Sequence, residues 1–269
     1  MYPSLSIEPL SISDLGNISN LQPEGWSSIV EPITFYCGSP FCFPLKATTD
    51  GKLVGTGTAI IHGNTGWLAH IIVDKNFRNA GIGLAITRAL IKLIHEKGCE
   101  TQLLLATALG EPVYKKCGFE VEEEYIFLEG GKLPVLNRSQ NICPYDNTFQ
   151  QQVFAMDKEV SGETRERLLD LHLPYMHLRI KDGVLSGFYA PTLGEGLIVA
   201  TSETTGTELM QIRNTTQKMF GLPMSNESAI AFLEKHGFKE IRKASRMILG
   251  KSIAWDPGKI YNRIGGNLG

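Results

Sequence analysis

Neither sign of charge dominates this chain. Its 269 residues carry 26 Lys+Arg against 28 Asp+Glu, a formal net charge of -2. Binding nucleic acid takes a concentrated basic face, and here Lys and Arg are scattered. Long apolar runs are missing too, and nothing approaches the ~20 residues that a membrane-spanning helix needs. The opening MYPSLSIEPL has no basic start and no sustained apolar core, so it does not read as a secretory signal. Cysteine is sparse: Cys37, Cys42, Cys99, Cys117 and Cys143, five in all, with no CxxC pair. An odd count without paired spacing argues against a disulfide framework, and no His or Cys sits at ligand spacing beside Cys37 and Cys42. The expectation is free thiols in a reducing cytoplasm, no metal, no nucleic acid and no membrane.

What is present is ordinary for a globular protein: 42% hydrophobic and 20% charged residues, in a length that suits one large or two smaller domains. SLSIEPL reads as a short strand. In SISDLGNISNL, Ser11 or Ser13 precedes Ile12, Leu15, Ile18 and Leu21 at helical spacing. Asp50-Gly51 joins two strands as a tight hairpin, and Asn64-Thr65-Gly66 turns into a third, TGWLAHIIVD. The three form an antiparallel meander. A long amphipathic helix follows, with Ile82, Ala85, Ile86, Ala89, Leu90 and Leu93 on its apolar face and Lys97-Gly98 at its end. TQLLLATA is a buried strand, GEPVYKKCGF a short helix closed by Gly118, and EVEEEYIFLEGG an alternating strand. Residues 130–148 are rich in Gly, Pro, Asn and Ser and read as a linker. The second half repeats the plan in weaker form: a helical stretch FQQQVFAMDKEVSGETRERLLDLHL, a hairpin at Asp182-Gly183, a strand GLIVATS, and AFLEKHGFKEI, which copies PVYKKCGFEVE. The resulting division is 1–136, a linker 137–148, and 149–269.

The segment VDKNFRNAGIG, between the third strand and the long helix, carries the first chemical signal. A helix start offers unpaired N–H groups and the positive end of the helix dipole, a natural anion site. Gly81 and Gly83 let a ligand approach the backbone, and Arg78 adds a fork of donors suited to phosphate. The P-loop pattern fails here because Gly83 is followed by Leu84-Ala85, and the dinucleotide pattern fails at Ile86. Taken alone, the two glycines fit a plain tight turn equally well.

Arg78-Asn79-Ala80-Gly81-Ile82-Gly83 resembles the R/Q-x-x-G-x-G/A signature of the GNAT superfamily of acyl-CoA N-acyltransferases. PVYKKCGF, about thirty residues on, is similar to that superfamily's second signature, a tyrosine followed by Gly-Phe. The resemblance implies an α/β (α+β) fold of two GNAT-like domains. Each would be a mixed, mainly antiparallel twisted sheet flanked by helices, with a splayed central strand pair. It further implies that Arg78, Asn79, Ala80, Gly81, Ile82, Gly83 and Leu84 hold the pyrophosphate of acetyl-CoA. Ile71, Ile72 and Val73 would bond the pantetheine arm, and Tyr114 would act as general acid toward the leaving sulfur. A phenol can give a proton to a departing thiolate, which suits Tyr114 on physical grounds, although a tyrosine on a short helix commonly just packs its ring. For the base, His70 on the preceding strand has a suitable pKa range, but strict alternation can turn it away from the cleft. Glu111 and Thr107 could orient a water instead, and no single base is a further option.

The second half departs from the pattern. Leu233 stands where Tyr114 does, and TSETTGTELMQIRNT has one glycine with Glu203 and Glu208 where a phosphate turn belongs. The chain resembles a bacterial tandem-GNAT family with an active first unit and a degenerate second one. The second unit could wall an acceptor site through Tyr175, His177, Tyr189 and Arg213, or act as a scaffold. The resemblance implies an N-acetyltransferase moving an acetyl group to a primary amine, with a small molecule preferred, in a monomer or homodimer. A non-catalytic acyl-CoA sensor is the alternative.

Overall fold

The computed structural model describes residues 5–135, 141–214 and 218–268. The first half runs β1 (Ser6–Pro9), a 3-10 helix (Ile12–Leu21), α1 (Val30–Gly38), β2 (Cys42–Thr49), β3 (Lys52–His62), β4 (Thr65–Val73), α2 (Ile82–Glu96), β5 (Thr101–Ala106), α3 (Glu111–Lys115) and β6 (Glu120–Glu129). The second runs β7 (Ile142–Pro144), α4 (Gln150–Ser161), α5 (Glu166–Asp170), β8 (His177–Lys181), β9 (Val184–Ala190), β10 (Leu197–Ala200), α6 (Glu203–Arg213), β11 (Phe220–Pro223), α7 (Glu227–Lys235), β12 (Lys239–Gly250) and β13 (Ile260–Asn262).

Two units form, and their membership does not follow chain order. One is Met1–Glu120 with Met247–Ser252 and Gly266–Leu268; the other is Val121–Arg246 with Ile253–Gly265. Nearly all of β6 thus belongs to the second unit, while the end of β12 and a piece of the C-terminal tail belong to the first.

In the first unit the strand order is β1-β2-β3-β4-β5, followed by the end of β12. Thr101 Oγ1 donates to the Lys251 carbonyl at 2.6 Å and so ties that returning segment down. β2, β3 and β4 form the antiparallel meander, with Asp50 (φ 49°) and Gly51 (φ 74°) making the tight hairpin turn that both left-handed residues require. Helix α2 covers the sheet with Ile82, Ile86, Leu90 and Ile94, each at most 1% exposed. It comes down so closely that a Cβ on Gly57 of β3 would lie 2.7 Å from Ile86 Cγ2.

Two features of β4 shape the site. Its parallel pairing with β5 covers only Thr65–Trp67 against Thr101–Leu103. From Leu68 onward its edge on that side has no strand partner among the described residues, which is the splay. Opposite, Thr56 pairs with Ile72 and Thr58 with Ala69, so Gly57 faces two residues, His70 and Ile71. This is a β-bulge, and His70 takes the left-handed conformation it needs (φ 46°). A bulge bends its strand, and this one lies just beyond the last β4–β5 pair at Trp67.

The second unit holds an antiparallel sheet ordered β13-β10-β9-β8-β7, and a strand group β12-β6-β11 in which β6 pairs antiparallel with β11. Its core gathers Ile126, Leu128, Leu209, Phe220, Leu233 and Phe238, among others. The stretch read as one helix after residue 149 is two, because Gly162 (φ 74°) ends α4 in a left-handed cap. Within the segment read as a linker, Ile142–Pro144 pairs with His177–Arg179 as an edge strand; positions 137–140 of it lie outside the described residues. No helix among the described residues is long and apolar enough to cross a membrane, and all five cysteines are free thiols.

Candidate functional site

The turn before α2 is built from Asp74 onward. The Asp74 side chain accepts from Asn76 N at 2.9 Å and opens a short 3-10 helix, Lys75–Phe77. Arg78 then donates from Nε to the Val73 carbonyl at 3.3 Å, which lays its side chain along the open end of β4. Asn79 (φ 61°) and Gly81 (φ 83°) are left-handed, and Gly81 is the N-cap of α2. A glycine has no side chain to cap with, and α2 has no side-chain cap. The first bond of the helix is Ala85 N to the Gly81 carbonyl at 3.0 Å. The N–H groups of Ile82, Gly83 and Leu84 therefore have no partner among the described residues. The space before them is open: a Cβ on Gly81 would meet nothing within 4 Å, and one on Gly83 only Val73 Cγ2 at 3.6 Å. Unpaired amides, a positive dipole end, clear space and a guanidinium fit a pyrophosphate.

Alternation decides what β4 offers. Asp74 N donates to the Val54 carbonyl of β3 at 2.9 Å, so Ile72 also bonds toward β3. The backbone groups of Val73 turn to the unpartnered edge, while Ile71 lies within the bulge. Of the three residues expected to bond a pantetheine arm, Val73 faces the open side, Ile72 bonds toward β3 and Ile71 sits in the bulge.

Tyr114 lies on α3, and Thr107 organises that helix: its carbonyl accepts from Gly110 N at 2.9 Å and Glu111 N at 3.0 Å. Its hydroxyl accepts from Gly110 N at 3.3 Å. Glu111 is ion-paired with Lys115 at 2.6 Å. The Tyr114 ring folds over Gly110, whose imagined Cβ would lie 2.8 Å from Cε2, and meets Phe119 edge-on at 6.2 Å. Its hydroxyl has no hydrogen-bond partner among the described residues. Burial pushes its pKa up to about 12, so it holds its proton across the working range. The Cys117 thiol is likewise pushed up by burial, the state of a packed thiol rather than a nucleophile.

The Lys-x-Gly-Phe ending is a helix cap in both units. Phe119 N bonds the Tyr114 carbonyl at 3.1 Å around left-handed Gly118, and Phe238 N bonds the Leu233 carbonyl at 3.1 Å around left-handed Gly237. The cap geometry is shared, and only the first copy carries a hydroxyl at its head; Leu233 is wholly buried. The corresponding helix start in the second copy is not open in the same way among the described residues. Ser202 caps α6 by accepting from Thr205 N, and Glu203 puts a carboxylate in the first turn. Glu208 pairs with Arg179 at 2.7 Å. Tyr189 and Arg213 are 2% and 1% exposed, and Arg213 donates twice to the Glu195 carbonyl, so both are internal to their unit. His177 stacks on Tyr189, and Tyr175 is exposed.

His70 sits beside groups that the sequence did not single out. Its Nδ1 is 2.8 Å from the Tyr36 hydroxyl, which also receives Asn267 Nδ2 at 2.7 Å, and Trp26 meets its ring edge-on at 6.2 Å. Tyr36 was legible in principle, since Ile29, Ile33 and Tyr36 are spaced as one helix face and all are at most 1% exposed. The tail sequence GGNLG gives no such signal for Asn267. No hydrogen bond or ion pair joins Tyr114 to His70 or Arg78 among the described residues. No cluster of three metal-ligating side chains occurs among the described residues.

Burial lowers the His70 pKa to about 4, from 6.5. The folded chain therefore binds fewer protons here than the unfolded chain between pH 6.5 and 4. Stability is whole above pH 6.5 and falls through that window as pH drops, by up to about 3 kcal/mol for this group. His70→Asn, whose side chain tolerates the left-handed backbone, is expected to show a correspondingly smaller loss of unfolding free energy between pH 7 and pH 4. Equal losses in denaturant titrations of the two proteins would mean that His70 is not held neutral.

Comparison with known proteins adds to this geometry. Two family models match: "Acetyltransferase (GNAT) family" over residues 13–119 and "Acetyltransferase (GNAT) domain" over residues 153–262. Between them they take in most of the chain. A glucosamine 6-phosphate N-acetyltransferase from Trypanosoma brucei brucei is 27% identical over 128 residues, covering 45% of this chain and 78% of the relative. A protein from Pyrococcus horikoshii superposes with a TM-score of 0.84 at 20% identity, over 100% of this chain and 97% of that one. A tandem GNAT protein from the clavulanic acid biosynthesis pathway superposes with a TM-score of 0.65 at 12% identity, over 93% of this chain and 100% of that one. At such identities the two structures speak for the fold alone.

Proposed function

Given that the chain belongs to the GNAT superfamily, with a GNAT match on each half, and is an acyltransferase of that type, we propose that its first unit transfers an acetyl group from acetyl-CoA to the primary amine of a small molecule. The observation that carries this reading is the uncapped start of α2, with three amides unpaired among the described residues, open space, and Arg78 at the end of a strand whose edge has no partner among them. In this reading Arg78 through Leu84 bind the pyrophosphate, with the amides of Ile82, Gly83 and Leu84 as donors. The backbone groups of Ile71 and Val73 orient the pantetheine arm. The neutral amine attacks the thioester carbonyl, the C–S bond breaks, and the sulfur takes the Tyr114 proton. The attack is direct, without an acyl-enzyme; the new amide nitrogen gives its extra proton to water, and the Tyr114 phenolate takes a proton back from water. A histidine with a pKa of about 4 is a poor proton acceptor for an amine, which weighs against His70 as the base.

Release of free thiol from acetyl-CoA is the test, with a panel of an amino sugar, an amino sugar phosphate, amino acids and a polyamine. The amino sugar phosphate belongs in the panel because the Trypanosoma relative bears that activity in its name. Turnover with one class supports the proposal and names the acceptor. Tight acetyl-CoA binding with no thiol release across the panel would favour a sensor instead.

A further inference from the structure

The hydrogen bonds around His70 are consistent with one tautomer. The Tyr36 hydroxyl has two partners among the described residues, Asn267 Nδ2 at 2.7 Å and His70 Nδ1 at 2.8 Å. An amide nitrogen only donates, so the tyrosine oxygen accepts from Asn267. Tyr36 is 1% exposed and its hydroxyl has no third partner among the described residues, so its own proton goes to His70 Nδ1, which then accepts. The neutral ring carries its remaining proton on Nε2, which has no partner among the described residues and is not among the buried unpaired atoms. The tail that supplies Asn267 has a second anchor, since His62 Nε2 lies 3.3 Å from the Leu268 carbonyl.

We propose that Asn267, acting through Tyr36, is a positioning residue that fixes His70 as the Nε2–H tautomer, and that this N–H donates to an oxygen of the acceptor amine. A base at this place would need a free lone pair on Nε2, and the relay puts a proton there. The donor does not suit the reacting nitrogen, because binding its lone pair would tie up the electrons that attack the thioester. It suits a hydroxyl, carboxylate or phosphate oxygen carried near the amine. His70 stands on the β4 bulge, at the edge left unpartnered beyond Trp67, where an acceptor and the thioester can meet. The substrate half of this inference rests on the acetyl-transfer reading; the tautomer half does not.

The test uses the full chain labelled with 15N, and reads the ring nitrogens of its six histidines at pH 7. His70 is assigned by the signals lost in His70→Asn. The expected spectrum has an unprotonated Nδ1 and a protonated Nε2 in a single form. The reverse pattern, or an average of the two, overturns the proposal. Asn267→Ala is expected to turn the single form into an average. With 2-aminoethanol and propylamine as a matched pair, it should also raise KM for the oxygen-bearing amine about fivefold to tenfold while kcat stays within twofold. An unchanged tautomer together with unchanged discrimination in this variant overturns the role of the tail. Should Asn267→Ala fail to fold, Tyr36→Phe is read in the same way. If no amine turns over, the acetyl-transfer reading fails and the acceptor contact with it, while the tautomer still stands or falls on the spectrum.

Discussion

Tyr114→Phe lowers kcat by about 10²–10⁴ and leaves acetyl-CoA affinity and folding unchanged. The size is that of a positioned general acid. The clean separation follows from the surroundings: the ring keeps its contacts with Gly110 and Phe119, and the lost hydroxyl has no partner among the described residues to leave unsatisfied. With the phenol pKa at about 12, no basic limb from its ionisation enters the rate profile up to about pH 10. Stopped thiol release with the best amine, beside a calorimetric Kd for acetyl-CoA, measures both quantities. A kcat within threefold of wild type would mean that water, not Tyr114, protonates the sulfur.

Gly83→Asp separates stability from binding in the opposite sense. Gly83 is in the first turn of α2, and a Cβ there meets only Val73 Cγ2 at ordinary contact distance. A carboxylate at this point interacts well with the helix dipole, and replacing a helical glycine removes a backbone-entropy cost, so Tm holds or rises. The same charge faces any anion bound by the amides of Ile82 and Leu84. Two like charges about 4 Å apart at a protein surface repel by up to about 4 kcal/mol, so acetyl-CoA affinity falls by about a hundredfold or more. The variant would in effect give α2 the condition of α6, where Ser202 caps the helix and Glu203 holds its first turn. Unchanged affinity would move the nucleotide site elsewhere.

The readable parts of the fold were those fixed by local chemistry. Asp50-Gly51 and Asp182-Gly183 turned as hairpins because both pairs accept left-handed backbone. Gly118 and Gly237 ended their helices for the same reason. The α2 turn was legible because its amides need no distant partner to define them. The parts that escaped depend on residues far apart in sequence. Nothing local tells that β6 joins the second unit or that Met247–Ser252 returns to the first. The edge strand Ile142–Pro144 hid in a loop-like composition, since its order comes from His177–Arg179 rather than from its own pattern. His70 shows the limit most clearly. Alternation could not place it, because a bulge resets the alternation at that residue, and its tautomer hangs on Tyr36 and on Asn267, 231 residues further along than Tyr36.

The central claim is that one acyl-CoA site exists and that it lies at the start of α2. Calorimetric titration of the full chain with acetyl-CoA tests it most directly, read for stoichiometry and repeated on Gly83→Asp. The account predicts one molecule bound per chain and binding lost in the variant. Two molecules per chain, or one that Gly83→Asp leaves untouched, would contradict it.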